Sequence, residues 1–166
     1  MTDTAKGFVY YLLSLFFTLL FVFRTKAAAG RSLYVFDIDN TIGHTYPTLN
    51  QNYVSEKERL LSIVMFPRMK RLVSRLQKSP SRKVIFVTAR SFKTWRITQR
   101  WFEENGLQVS LLDIIIVASP AEKIKLLNRI LPAQKAVTFI DDMSWNHEKE
   151  EVKFYDIEIQ LISKLK

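Results

Sequence analysis

Residues 35–41 read VFDIDNT. An apolar run, Leu33 to Phe36, delivers two carboxylates, Asp37 and Asp39, before Asn40 and Thr41 turn the chain. A strand that ends in acids and a turn places those acids at a sheet edge, where α/β proteins keep their reacting groups. Side chains at i and i+2 of an extended segment point the same way. The two carboxylates therefore crowd each other. Crowded carboxylates are tolerable if a cation bridges them or if one holds a proton. Both arrangements suit catalysis.

Outward from that strand, apolar runs rich in Val, Ile and Phe recur at 32–37, 83–88, 113–118, 136–141 and 152–156. They have the composition of buried parallel strands. Helical segments fall between them. Ser55 with Glu58 makes a capping box for a helix to Met65. Pro67 suits the first turn of a second helix, to Lys78. Ser91 is placed to cap a helix from Phe92 to Glu104, and Asn105-Gly106 to stop it. Ser119-Pro120-Ala121-Glu122 opens a helix to Ile130, with Pro132 beyond. This alternation predicts an α/β fold: a three-layer Rossmann-like domain over 31–166 with a central parallel sheet. The segment 42–54 (IGHTYPTLNQNYV) has no period. It is either a flap over the acid-bearing edge or a plain connection.

Four segments then bring polar groups to the carboxyl ends of strands. They supply Asp37 and Asp39, Thr88 and Arg90, Lys123 at the start of a helix, and Asp141 with Asp142. In a parallel sheet these ends share one edge. Singly, each has a plainer reading: a turn or N-cap for Asp-x-Asp, a strand-end hydroxyl for Thr88, a solvated lysine for Lys123 (with Lys125 nearby), a loop for the paired acids. Together they form a set. Several acids in one place need a cation, and hard oxygen ligands suit Mg²⁺. The ion and a lysine can neutralise a phosphate, while a hydroxyl and strand-end amides hold its oxygens. One aspartate is then free to attack phosphorus and another to protonate the leaving group. Arg90 is placed to fork onto a substrate phosphate.

The chain has 166 residues, enough for one domain with one core. It has no cysteine, which excludes a disulfide framework, a thiolate metal site and a cysteine nucleophile. Its two histidines, His44 and His147, make a multi-histidine zinc site implausible. A net charge of +9 points to anionic partners: phosphate esters, nucleic acid or lipid headgroups. Twelve of the cations lie between Arg59 and Phe102, a stretch with no Asp or Glu. Such a surface suits an anionic leaflet or a polynucleotide. Phe92, Trp95 and Trp101 either stack bases there or fill the core.

Residues 1–30 differ in kind. GFVYYLLSLFFTLLFVF at 7–23 carries no charge and is bracketed by Lys6 and Arg24. It is at the short end for a membrane span. Arg24, Lys26 and Arg31 follow it, a bias that puts the domain on the cytoplasmic side of a single-pass anchor. A cleaved signal, with Ala27-Ala28-Ala29 as its cleavage site, and a buried helix are the other two readings.

The motifs closely resemble those of the haloacid dehalogenase (HAD) superfamily of phosphohydrolases, over roughly residues 31–145. DIDNT, VTAR, a lysine at a helix start and a strand ending in paired acids match its four motifs in order. Asn40 stands where the family often has glycine. The resemblance implies that Asp37 is a nucleophile forming an aspartyl phosphate. It implies that Asp39 is the general acid and base and lends a backbone carbonyl to the metal. Thr88 and Lys123 would bind the phosphate, and Asp141 and Asp142 would complete the Mg²⁺ site. Asn146, with Glu148 behind it, is the candidate for a further polar group of the fourth motif. The stretches 42–66 and 124–140 are too short for the cap domains that set substrate choice in the family, so the site is expected to be open. The implied activity is hydrolysis of a phosphomonoester near membrane lipid. A polynucleotide end phosphatase and a non-catalytic scaffold are the alternatives.

Overall fold

The computed structural model describes residues 3–130, 134, 136–142 and 158–162. Three of the apolar runs become strands near their expected bounds: β1 (Ser32–Phe36), β4 (Arg82–Ala89) and β6 (Ala136–Asp141). The run at 113–118 yields a shorter strand, β5 (Ile114–Val117), because Leu111–Asp113 forms a 3-10 turn. Two-residue strands β2 (Gly43–His44) and β3 (Val64–Met65) pair antiparallel as a separate ribbon. A last strand, β7 (Glu158–Ile162), joins the main sheet. The strand expected at 152–156, the residues Asn146 and Glu148, and Pro132 lie outside the described residues.

The main sheet runs β5-β4-β1-β6-β7. β5, β4, β1 and β6 are parallel, and β7 lies antiparallel on β6. The fold is therefore α/β with a four-stranded parallel centre, and the expectation of a parallel sheet needs an antiparallel edge added. From β1 the chain steps outward to β4 and β5, then returns to the other side of β1 as β6. The order reverses between β1 and β6, and the crevice outside such a reversal is where ligands bind in sheets of this kind.

Alternation along the strands sorts the core into two halves. Phe36, Phe86 and Ile114 face helices α3 (Glu56–Leu61), α4 (Pro67–Gln77) and α5 (Trp95–Glu104), meeting Leu60, Val73, Trp101 and Phe102. Leu33, Val35, Ile85, Val87 and Ile115 face α1 (Asp3–Lys26) and α6 (Pro120–Leu127), meeting Phe17, Phe21 and Leu126.

Three helix boundaries differ from expectation. The helix opened by Ser55 stops at Leu61 instead of Met65. Its capping is as expected, the Glu58 amide donating to Ser55 Oγ. Beyond it Ile63 is buried and Val64-Met65 pairs with β2, while Phe66 is extended ahead of Pro67. The expected Ser91 cap is not formed. Instead Phe92–Thr94 is a 3-10 turn, and Thr94 Oγ1 donates to the Ser91 carbonyl. α6 ends at Leu127, three residues early.

Helix α1 is long and apolar enough to cross a membrane. In the structure its inner side rests on the sheet. Phe17 and Phe21 are fully buried, Phe17 stacks on Phe92, and Arg24 pairs with Asp113 at 2.7 Å. Its outer side leaves Phe8, Tyr11, Leu15, Leu19 and Phe23 exposed, a stripe at helical spacing. Phe92, Trp95 and Trp101 are core residues. The Trp101 indole donates to the Ile63 carbonyl, and that of Trp95 to the carbonyls of Leu111 and Ile114. None of the three is free to stack a base.

Candidate active site

The sheet register brings the expected residues together. Phe36 is level with Ile140, and the Asp37 amide donates to the Ile140 carbonyl at 2.9 Å. Asp37 thus leaves β1 beside Asp141 and Asp142 at the end of β6. Thr88 lies on β4, on the other side of β1. Lys123 comes from the first turns of α6, which the Ser119 hydroxyl caps by accepting from the Glu122 amide.

Lys123 Nζ donates to Asp37 Oδ1 at 2.8 Å and to Asp141 Oδ2 at 2.6 Å. Carboxylate oxygens of Asp37, Asp141 and Asp142 lie within 4.8 Å of one another, and all three residues are buried. Lys123 thus bridges two of the three carboxylates. Burial pushes the Asp37 carboxyl up to about 8; Lys123 opposes this, while Asp141 and Asp39 reinforce it. Burial would lower the Lys123 ammonium, but Asp37 and Asp141 override it and hold the group charged.

Asp39 is turned to the other side of the edge. Arg90 grips it with both arms of the guanidinium: Nε reaches Oδ2 at 2.7 Å and a terminal nitrogen reaches Oδ1 at 2.5 Å. Thr88 Oγ1 donates to Oδ2 at 2.9 Å and Thr45 Oγ1 to Oδ1 at 2.7 Å. Burial alone would raise this carboxyl; the guanidinium and the two hydroxyls win and hold it down at about 2. Arg90 is fastened behind by Thr98 Oγ1 at 3.2 Å. The two residues expected on a substrate phosphate, Thr88 and Arg90, both rest on Asp39 instead.

Two contributors were not singled out from sequence. Thr41 Oγ1 accepts from the Asp142 amide at 2.8 Å and lies 3.4 Å from Asp37 Oδ2, tying the turn after β1 to the end of β6. The only signal for it was its place at the close of DIDNT. Thr45 had none, since it sits in the aperiodic segment. That segment is neither a bare loop nor a large flap. It forms β2, the short helix α2 (Tyr46–Leu49) and the approach to α3, and the Tyr46 amide donates to Asn40 Oδ1. Asn40 takes φ 57°, a left-handed turn that asparagine tolerates.

The cluster of Asp37, Asp141 and Asp142 offers buried, hard oxygen donors of the kind that hold a hard cation such as Mg²⁺. The Asp39 carboxylate is outside this cluster. Comparison with protein-family models, with curated proteins and with solved structures found no match.

Proposed function

We propose that the chain is a Mg²⁺-dependent phosphomonoesterase of HAD-like type, built on a Rossmann-like domain. The observation that carries this reading is the convergence of Asp37, Lys123, Asp141 and Asp142 at the strand-order reversal, with Asp39 on the same edge and held apart from them. Asp37, Asp141 and Asp142, with the Asp39 carbonyl, would hold the ion. Bound there, it supplies charge neutralisation for phosphate oxygens and for the cluster itself.

In this reading an Asp37 oxygen attacks phosphorus, forming an aspartyl phosphate as the bond to the leaving oxygen breaks. Asp39 donates a proton to that oxygen. It then takes a proton from the water that attacks the phosphoenzyme, releasing phosphate and restoring Asp37. Lys123 works against the burial that raises the Asp37 carboxyl, a cation held beside it would complete the ionisation, and the ammonium screens the incoming phosphate. Asp39 cannot donate while Arg90 holds it ionised. A phosphate dianion offers the guanidinium an equivalent bidentate partner. Its arrival draws Arg90 from Asp39, whose carboxyl then rises and takes up the proton it will deliver. Arg90 is thus a substrate-released latch as well as a phosphate ligand.

The exposed stripe of α1 supports placing the protein on a membrane. A single-pass span would pull Phe17 and Phe21 out of the core and break the Arg24–Asp113 pair. A helix lying in the interface keeps both and still buries its outer stripe in lipid. We adopt that arrangement. A scaffold without turnover is the reading from another class. It gives no reason for Asp37, Asp141 and Asp142 to converge, with Lys123 across two of them, at the strand-order reversal.

The test is phosphate release from an aryl phosphate with Mg²⁺. Asp37→Asn should lower it by at least about a thousandfold, as loss of a nucleophile does. Retention of activity in that variant overturns the mechanism, and no turnover by the wild-type chain on a broad phosphoester panel favours the scaffold.

A further inference from the structure

We infer that α4 and the groove at its end bind the phosphate backbone of a polynucleotide whose phosphorylated end enters the Asp37 site. The inference rests on the phosphatase reading for its last clause only.

Helix α4 carries Arg68, Lys70, Arg71 and Arg75 on its exposed side, with Lys78 exposed at its C-cap and Met69, Val73 and Leu76 buried. It has no acid, and none of these cations pairs with a carboxylate among the described residues. Helix electrostatics explain only part of this. Cations are favoured in the last turn, which accounts for Arg75 and Lys78. Arg68 and Lys70 lie in the first turn, where the helix dipole opposes them. Like charges at helical spacing add repulsion. The isolated helix is thus destabilised by a pattern that an anionic partner would relieve.

The row has a direction. Its first end joins the candidate site: the Phe66 amide donates to the Ile42 carbonyl at 2.8 Å, and Ile42 lies in the turn that follows Asp39. Arg68 to Lys78 covers roughly 15 Å of helix. Its far end opens into a groove of about 600 Å³ at the amino edge of the sheet, where Lys78 is joined by Arg31 and Arg82, with Ser74 and Ser110 as donors. A chain of phosphates laid along this row would run from the groove to the catalytic edge.

The fold separates this surface from lipid. α1 and α4 cover opposite faces of the sheet. With the outer stripe of α1 in a bilayer, the cations of α4 point away from it and face a soluble polyanion. No aromatic residue lies on the outer side of α4, and Trp95 and Trp101 are engaged in the core. Contact is therefore to backbone phosphate, indifferent to sequence and sensitive to salt.

The experiment measures fluorescence anisotropy of a labelled single-stranded oligonucleotide with the full chain in mild detergent, over a salt series. Contacts from Arg68, Arg71, Arg75, Lys78 and Arg82 give an expected log–log slope of about −3.5. The triple variant R71A/R75A/K78A should flatten the slope by about 2. Its phosphate release from an aryl phosphate should be unchanged, which also shows that it is folded. An unchanged slope in the triple variant overturns the inference. So does a variant that loses binding to anionic phospholipid vesicles while keeping oligonucleotide binding. The single variant K78A, at an exposed position, should flatten the slope by about 0.7 and guards against misfolding of the triple. Oligonucleotide binding with the expected slope, but no activity on any phosphoester, would keep the surface and overturn the phosphatase reading. Aryl phosphate hydrolysis without oligonucleotide binding would do the reverse.

Discussion

At the scale of single residues, the pair Arg90–Asp39 sets the state of the site. The Asp39 carboxyl titrates near 2 when folded, against an ordinary value of 3.8. As pH falls, the unfolded chain takes its proton first. The pair's contribution is therefore complete above the unfolded value and is lost as pH drops toward 2. Net of burial and together with the hydroxyls of Thr45 and Thr88, it amounts to roughly 2 kcal/mol. Urea unfolding at a series of acid pH values should show this loss in the wild-type chain. In Arg90→Ala the acid-side slope should flatten, with stability near neutral pH lower by about the same amount. An identical slope in the variant would mean that the guanidinium does not govern Asp39. The acids themselves were legible in sequence because strand-end carboxylates are unusual. The partner of Arg90 was not, because it lies 51 residues away and depends on which way two side chains turn. Thr41 and Thr45 were hidden for a related reason: a hydroxyl in a turn looks the same whether it faces water or a carboxylate.

At the scale of elements, the strands were legible because long buried runs have few other uses. The ribbon of β2 and β3 was not, since two-residue strands leave no period to read. Helix α1 shows a different limit. A segment apolar all round announces that it will be buried but not against what. Its two sides are told apart only by the sheet, which takes Phe17 and Phe21 and leaves Phe8 and Leu19 outside. The docked arrangement makes Phe21→Ala a core truncation. It should cost about 3–5 kcal/mol in denaturant unfolding of the detergent-solubilised chain. A change under about 1 kcal/mol would show that the helix does not rest on the sheet. Leu19→Ala, on the outer stripe, should leave that stability nearly unchanged.

At the scale of the whole molecule, α1 is a covering layer for one face of the sheet as well as an apolar surface. Removing residues 1–26 should expose Ile115, Val117 and Phe92 together, and the shortened chain should self-associate. Size-exclusion chromatography checks this: a monodisperse, stable fragment would place the helix outside the fold. The α/β class and the acid-bearing edge could be read from the order of motifs, whereas the antiparallel edge strand and the strand order could not, because pairing is a relation between distant segments. That pairing has one more result. Asp37 and Asp141 end neighbouring strands joined by the hydrogen bond from the Asp37 amide to the Ile140 carbonyl. Strands in a sheet are spaced about 4.8 Å apart. The spacing of the Asp37 and Asp141 backbones is thus ruled by sheet pitch, a length that no side-chain substitution alters while the two strands stay paired. The gauge of the site is built into the sheet, and drift in the surrounding core can retune its access and charge without detuning that gap.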